Sequence, residues 1–148
     1  MPAKAAERAG GRAGISPNNL RTSQGGTTLH LSYVPGKDAG EYKTIKFIIP
    51  EGLPKPESDP LKEGYFTIDV SDGVVISSDA QDREITVTVH KLMPEKGKVT
   101  VNYGSKKSGG PGITAPGETG EYVFRVLTAE NDMNEPLEID VSPILEVN

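Results

Sequence analysis

Cysteine and tryptophan are absent from this chain of 148 residues, and aromatic residues make up only 5% of it. Without cysteine, the chain can form no disulfide, no thiolate zinc site and no catalytic thiol. Long apolar runs are also missing, and none approaches the roughly 18 residues that cross a bilayer. We therefore expect a fold that is held together by its core alone, with no insertion into a membrane.

Sequence motifs of catalysis are missing as well. The chain contains no GxxxxGK or GxGxxG sequence, which are typical of phosphate-binding loops, and no HExxH pair. Its two histidines, His30 and His90, stand on the outward phase of predicted strands, and neither lies beside a serine-nucleophile motif. We predict that the protein is not an enzyme and that it requires no cofactor.

Glycine and proline are abundant, with 17 and 12 residues, about a fifth of the chain together. This composition favours strands and loops over helices. Residues 50–64 carry four prolines, and residues 104–120 are rich in glycine, serine and proline. We predict long loops at both places, because proline cannot donate a hydrogen bond inside a sheet and glycine weakens a strand.

Outside these loops, short runs alternate apolar and polar residues with a period of two, which is the pattern of half-buried strands. The clearest runs are residues 84–90 and 98–103. Residues 65–70 and 74–76, on either side of a turn at 71–73, predict a hairpin. The predicted inward side chains are Leu29, Leu31, Tyr33, Ile45, Phe47, Ile49, Ile85, Val87, Val89, Val99, Val101 and Tyr103. Seven to nine such strands predict an all-β sandwich or barrel over residues 25–148.

Charge divides the chain into two parts. Residues 1–26 carry four basic side chains and one acidic side chain, so their net charge is +3, which leaves −8 of the total of −5 for the rest. Residues 1–14 are small, basic and glycine-rich, with no apolar period to bury. We therefore predict a basic arm over residues 1–24 that precedes an acidic body. Such asymmetry can steer one copy toward another.

The arm contains a candidate donor strand at residues 15–22. An open sheet edge exposes unpaired N–H and C=O groups, which a strand from a neighbouring copy can satisfy. The predicted assembly residues are Ile15, Leu20, Arg8, Arg12 and Arg21. An alternative stays open, in which residues 15–20 are the first strand of their own sandwich.

Residues 84–127 carry the motifs of a known family. Two predicted strands are followed by Tyr103-Gly104, by a glycine-rich loop that contains Thr-Ala-Pro at 114–116, and by the run Gly-Glu-Tyr-Val-Phe at 120–124. This order resembles that of the immunoglobulin-like repeats of prokaryotic cell-surface proteins. The resemblance implies an immunoglobulin-like β-sandwich of seven to nine strands, and it implies a fold more than a function.

Two further likenesses concern single features. Tyr122 resembles the tyrosine-corner position of such sandwiches, whose hydroxyl bonds to backbone near the start of its strand. A single module with an arm is also similar in layout to the strand-donating subunits of extracellular fibres and tubes, such as pili and archaeal cannulae, with which it shares no motif. Both likenesses imply structural roles.

Oxygen-rich turns are the candidate metal sites. Calcium takes six to eight oxygen ligands from carboxylates, amides and carbonyls, although Asp and Asn also occur in turns for conformational reasons. Asp69 and Asp72 form one oxygen-rich pair, and no group matches an EF-hand. The candidate calcium ligands are Asp79, Asp82 and Glu84 in one turn and Glu130, Asp132 and Asn134 in another.

Carbohydrate is a further candidate ligand, because β-sandwiches host it and tyrosine rings can stack on sugars. The tyrosines are Tyr33, Tyr42, Tyr65, Tyr103 and Tyr122. The absence of tryptophan argues against a strong sugar-stacking surface. We expect no nucleic-acid binding, because the body is acidic and lacks an aromatic stripe on which bases could stack.

Together these features predict a structural subunit at the cell surface or outside the cell, with its signal peptide removed. Copies of the subunit would join through the N-terminal arm by strand addition into a homopolymeric filament or tube, with calcium as a candidate aid. The main alternative is a monomeric adhesive or carbohydrate-binding surface module. A third possibility is a viral decoration or tail protein, since such proteins also combine β modules with extended arms.

Overall fold

The computed structural model describes residues 11–36, 42–129, 137–139 and 141–148. Within these ranges its regular structure is almost entirely β, and the one helix is a single 3-10 turn, Lys107–Gly109. The strands are β1 Arg12–Ser16, β2 Asn19–Leu20, β3 Leu29–Val34, β4 Tyr42–Ile48, β5 Phe66–Ser71, β6 Val74–Gln81, β7 Glu84–His90, β8 Lys98–Tyr103, β9 Gly120–Val123, β10 Arg125–Ala129, β11 Leu137–Glu138 and β12 Ile144–Val147.

These strands form three hydrogen-bonded sheets. A four-stranded sheet has the order β1-β3-β8-β5, a five-stranded sheet the order β11-β10-β4-β7-β6, and a three-stranded sheet the order β2-β12-β9. Only Phe124 separates β9 from β10, so the chain passes directly from the three-stranded to the five-stranded sheet. This all-β arrangement is consistent with a β-sandwich, as predicted.

The core lies where the inward residues of the sheets meet. All twelve side chains that the period-two pattern places inward have no exposed surface, which confirms the pattern. Leu20, Phe124, Val126 and Leu145 join the same cluster. Full burial of one such apolar side chain stabilises the fold by about 1.5–3 kcal/mol, and the core contains no disulfide because the chain has no cysteine.

The predicted hairpin of residues 65–70 and 74–76 is wrong. β5 pairs with β8 in the four-stranded sheet, and β6 pairs with β7 in the five-stranded sheet. The hairpin forms one connection later, at Asp82-Arg83, where a two-residue turn joins β6 to β7. Asp82 has a φ of 54°, a left-handed conformation that suits tight hairpin turns and that Asp tolerates better than most residues.

The proline-rich loop at residues 50–64 is held to the sheets by two side chains, the half-buried Arg83 and the buried Tyr103. Arg83 Nη1 donates to Pro50 O at 2.9 Å and to Leu53 O at 2.8 Å, and the Tyr103 hydroxyl donates to Pro54 O. Burial of the Tyr103 hydroxyl raises its pKa well above the ordinary value of 10.0. The loop therefore has fixed anchors, although it contains no strand.

Replacing Tyr103 by Phe should change how stability depends on alkaline pH. At pH 8 we expect the variant to lose about 1 kcal/mol, because the Pro54 carbonyl loses its donor. A folded-state pKa above the unfolded value gives stability that is fully present below pH 10.0 and is lost as pH rises further. The wild type should therefore lose up to about 1.4 kcal/mol more per pH unit than the variant above that value. Urea unfolding at pH 8 and pH 11 measures the difference in free energy of unfolding between the wild type and the variant. If that difference is the same at both pH values, the raised pKa of Tyr103 is contradicted.

Tyr122 makes the local contact expected of a tyrosine corner. Its hydroxyl donates to Glu118 O, four residues upstream, at 2.9 Å. The ring is half-buried and packs against the core. The contact ties the loop that precedes β9 to the strand, so the role of Tyr122 is structural.

Candidate functional site

The segment that holds the predicted assembly residues begins with strand β1. β1 pairs antiparallel with β3 of the same chain, with Arg12 opposite Val34 and Ile15 opposite Leu31. It is the terminal strand of its sheet; Ile15 is half-buried against the core and Arg12 is exposed. Arg8 lies outside the described residues.

Strand β2 continues the segment on a different sheet. β2 pairs in parallel with β12, and the flanking bonds Glu146 N to Asn18 O and Asn148 N to Leu20 O are each 2.9 Å long. Leu20 is only 3% exposed and belongs to the core of its own chain, while Arg21 is exposed. Residues 12–20 therefore pair within the chain, which is the alternative that the sequence left open.

The candidate calcium ligands do not form a cluster where the structure describes them. Asp82 pairs with Lys55 at 2.9 Å, and Glu84 pairs with Lys46 at 2.9 Å. The hydrogen bond and the positive charge of Lys55 lower the pKa of Asp82. In the described ranges no three acidic or histidine side chains lie close enough together to hold a metal ion, so the geometry gives calcium no support there. Glu130, Asp132 and Asn134 lie outside the described residues.

Strand β6 forms one edge of the five-stranded sheet, at the end opposite β11. At eight residues it is the longest described strand, and its side chains are exposed on both faces apart from the half-buried Ala80. Val74, Val75 and Ile76 are 57%, 38% and 52% exposed. A bulge between Val75 and Ser77 interrupts its pairing with β7. Bulges are one of the ways in which proteins blunt sheet edges, but the edge keeps three consecutive apolar residues.

A cleft of about 420 Å³ lies over the outer face of the four-stranded sheet. We call it the polar cleft, and its lining residues are Thr28, His30, Asp69, Asn102, Ser105, Lys106 and Lys107. Strands β3, β5 and β8 supply its floor, and the glycine-rich loop after β8 supplies its wall. The loop is itself anchored, because Lys106 Nζ donates to Gly26 O at 2.8 Å.

One buried amide organises the floor of the polar cleft. Asn102 Nδ2 donates to Asp69 Oδ2 at 2.7 Å and to Thr67 Oγ1 at 3.1 Å. Its oxygen Oδ1 lies 2.7 Å from His30 Nδ1. An amide oxygen can only accept a hydrogen bond, so His30 carries a proton on Nδ1 and, when neutral, has its lone pair on Nε2.

The tyrosines that were candidates for sugar stacking do not form a stacking surface at the polar cleft, in the part of the chain that the structure describes. Tyr33 and Tyr103 are completely buried, so their rings cannot stack on a ligand. The side chain of Tyr42 lies outside the described part of the structure. Among the described side chains, no tyrosine lines the polar cleft. Any ligand there would be held through hydrogen bonds.

No family model and no curated protein matches the sequence. Within the described residues, no helix has the length and apolar character that crossing a bilayer requires. Function therefore has to be argued from the edges and the polar cleft.

The polar cleft was not predicted from the sequence. Strand phase correctly indicates that the side chain of His30 points outward, but phase alone does not indicate which side chains lie beside it. The missing information was register: His30 lies opposite Asn102, and Asn102 lies opposite Thr67, across three neighbouring strands. A polar residue on the outward phase of each of three strands was the available signal, but only the order β3-β8-β5 brings them together.

Proposed function

We propose that this protein is a structural subunit of an extracellular homopolymer, in which β1 of one copy replaces β1 in the four-stranded sheet of the next copy. The observation that carries the proposal is the position of β1, which is a terminal strand and, among the described strands, pairs only with β3. An exchanged β1 would make the same contacts in the neighbouring copy, so exchange costs little in contact energy.

The connection between β1 and β2 supports exchange at this point. Only Pro17 and Asn18 separate the two strands, which belong to different sheets. Short connections of this kind favour strand exchange over folding back. Because β2 remains paired with β12, the exchanged unit would end at Ser16, and Leu20 and Arg21 would stay in their own subunit.

Charge and edge geometry support assembly between copies. The exposed Arg12 and the upstream residues Lys4 and Arg8 would approach a neighbour whose residues 27–148 carry a net charge of −8. The donor is strand β1 and the acceptor is the edge of β3 that a departing β1 leaves open, so donor and acceptor surfaces differ. Contacts of this heterologous kind generate open filaments when the rotation between copies does not close a ring. The extracellular location rests on the resemblance to cell-surface repeats.

Removing residues 1–16 should abolish assembly. The intact protein should form filaments visible by electron microscopy, while the truncated protein, which keeps β2 and its acceptor edge at β3, should remain monomeric. A synthetic peptide of residues 11–17 should bind the truncated protein, because it restores the strand opposite β3. The same peptide with Ile15→Asp is the control and should bind at least tenfold more weakly, since burying a charge without a partner is unfavourable.

A shorter deletion separates the strand from the residues that precede it. Removal of residues 1–10 leaves β1 intact but removes Lys4 and Arg8, so we expect filaments to persist with a weaker sensitivity to salt. Filaments formed by the 1–16 deletion, or an intact protein that stays monomeric at every concentration tested, would overturn the proposal.

A further inference from the structure

The polar cleft has no part in the proposed polymer, yet it is built like a binding site. Its volume of about 420 Å³ lies in the range of small-molecule sites, roughly 300–1,000 Å³. Four elements converge on it: β3, β5, β8 and the loop that follows β8.

The floor of the polar cleft is fixed before any ligand arrives. Asn102 is 8% exposed, and its amide group holds Asp69 and His30 in place through bonds of 2.7 Å each. No buried side-chain nitrogen or oxygen in the described residues lacks a partner. A fully satisfied polar network is rigid, and rigid polar groups lose less entropy when they bind.

Several hydrogen-bonding positions remain open after these internal bonds are made. Among the described residues no hydrogen bond involves Asp69 Oδ1 or His30 Nε2, and both can accept when His30 is neutral. Ser105 accepts from Lys107 N at 3.3 Å and keeps its own O–H for donation. Lys106 Nζ uses one N–H on Gly26 O and keeps two. The polar cleft thus offers two acceptor atoms, Asp69 Oδ1 and His30 Nε2, and two donor groups, the Ser105 hydroxyl and the Lys106 ammonium.

The polar cleft contains both acidic and basic side chains, and this combination favours a ligand without net charge. The Asp69 carboxylate opposes an anion, and Lys106 and Lys107 oppose a cation. A hydroxyl group both donates and accepts, so neighbouring hydroxyls on one ring can satisfy donors and acceptors that lie side by side. We propose that the polar cleft binds a neutral saccharide ring through Asp69, His30, Ser105 and Lys106.

The described residues that line the polar cleft include no aromatic side chain, and this sets the affinity that we expect for a sugar. Sugar sites gain much of their affinity from aromatic side chains that cover the apolar face of the sugar. In the polar cleft, hydrogen bonds to the protein must replace the hydrogen bonds that the sugar makes with water, and this exchange gains little free energy. We therefore expect millimolar affinity for a single ring. Several copies in a polymer would strengthen binding to a polysaccharide through multivalency.

Saturation-transfer difference NMR on the full chain tests this inference, because it detects weak ligands of both monomers and assemblies. The probes are D-glucose, D-galactose, D-mannose and N-acetyl-D-glucosamine, each titrated separately. At least one should show saturable transfer that Asp69→Asn weakens about tenfold, as expected for loss of a hydrogen bond to a charged group. Lys106→Ala should weaken saccharide binding as well. Because Lys106 is exposed, this variant tests the site even if Asp69→Asn disturbs folding.

Asp79→Asn is the matched control, because Asp79 is an exposed strand aspartate outside the polar cleft. It should leave saccharide binding unchanged. Inorganic phosphate and ammonium serve as charged probes, and neither should compete with the sugar. Absence of transfer with all four sugars, equal effects of Asp69→Asn and Asp79→Asn, or displacement by either ion would overturn the inference.

Discussion

Replacing Leu20 by Ala should lower the free energy of unfolding of a single subunit by about 2–5 kcal/mol. Leu20 is 3% exposed and packs in the core of its own chain, and the backbone on both sides of it is bonded to β12. The substitution removes buried apolar surface and leaves a cavity that the parallel pair of β2 and β12 cannot easily close. Chemical denaturation followed by circular dichroism measures the change.

The control for this prediction is Arg21→Ala. Arg21 is the next residue along the chain and is exposed, so its replacement should change the free energy of unfolding by no more than about 0.5 kcal/mol. Dilution distinguishes the two possible locations of Leu20. A loss that stays constant as the protein is diluted to monomer places Leu20 in its own core, whereas a loss that disappears would place it in a neighbouring copy and contradict the pairing of β2 with β12.

Much of the fold could be predicted from alternation of residue type. Strands β7 and β8 have the predicted bounds, 84–90 and 98–103, because a strand with one buried face repeats every two residues. The same rule identified the inward residues of β3 and β4. It could not identify pairing partners, because alternation carries no information about which strand lies alongside. The prediction of a β5–β6 hairpin failed for this reason.

The division of the chain into arm and body shows a second limit. Residues 1–24 share an excess of basic charge, but charge carries no information about hydrogen bonding. Between Ile15 and the end of this segment, Leu20 is the one large apolar residue. A single apolar residue gives no periodic signal. Its burial depends on β12, the C-terminal strand, more than a hundred residues away. Contacts over such a distance along the chain cannot be derived from a local pattern.

The candidate sites also depend on residues that are distant along the chain. The turn at residues 79–84 is rich in acidic residues, but Lys46 and Lys55 from two other parts of the chain neutralise Glu84 and Asp82. The polar cleft depends on Asn102 meeting His30 and Asp69 across three strands. In both cases the chemistry is decided by partners that only the sheet order and the loop positions determine.

Strand exchange makes a second prediction with a large effect, which concerns a cross-link between β1 and β3. Gly14 lies opposite Ser32, and a Cβ at Gly14 would stand 3.4 Å from Ser32 Oγ. The double variant Gly14→Cys and Ser32→Cys should therefore form a disulfide readily. Because the chain has no cysteine of its own, no native thiol can compete for the two introduced ones.

The matched control places the cross-link between two strands that exchange cannot separate. Thr44 on β4 lies opposite Thr88 on β7, with their hydroxyl oxygens 3.4 Å apart. Both strands lie in the interior of the five-stranded sheet, each with a partner on either side. A disulfide in the variant Thr44→Cys and Thr88→Cys should always join residues of one chain, whether or not the protein has assembled.

The most direct test of strand exchange is to oxidise assembled protein and separate it on a denaturing, non-reducing gel. The 14/32 variant should give a ladder of covalent oligomers, because each disulfide joins β1 of one copy to β3 of the next, while the 44/88 variant should run as a monomer. A 14/32 variant that is fully cross-linked, assembled and still monomeric on the gel would show that β1 stays in its own chain, and it would contradict the proposed mode of assembly.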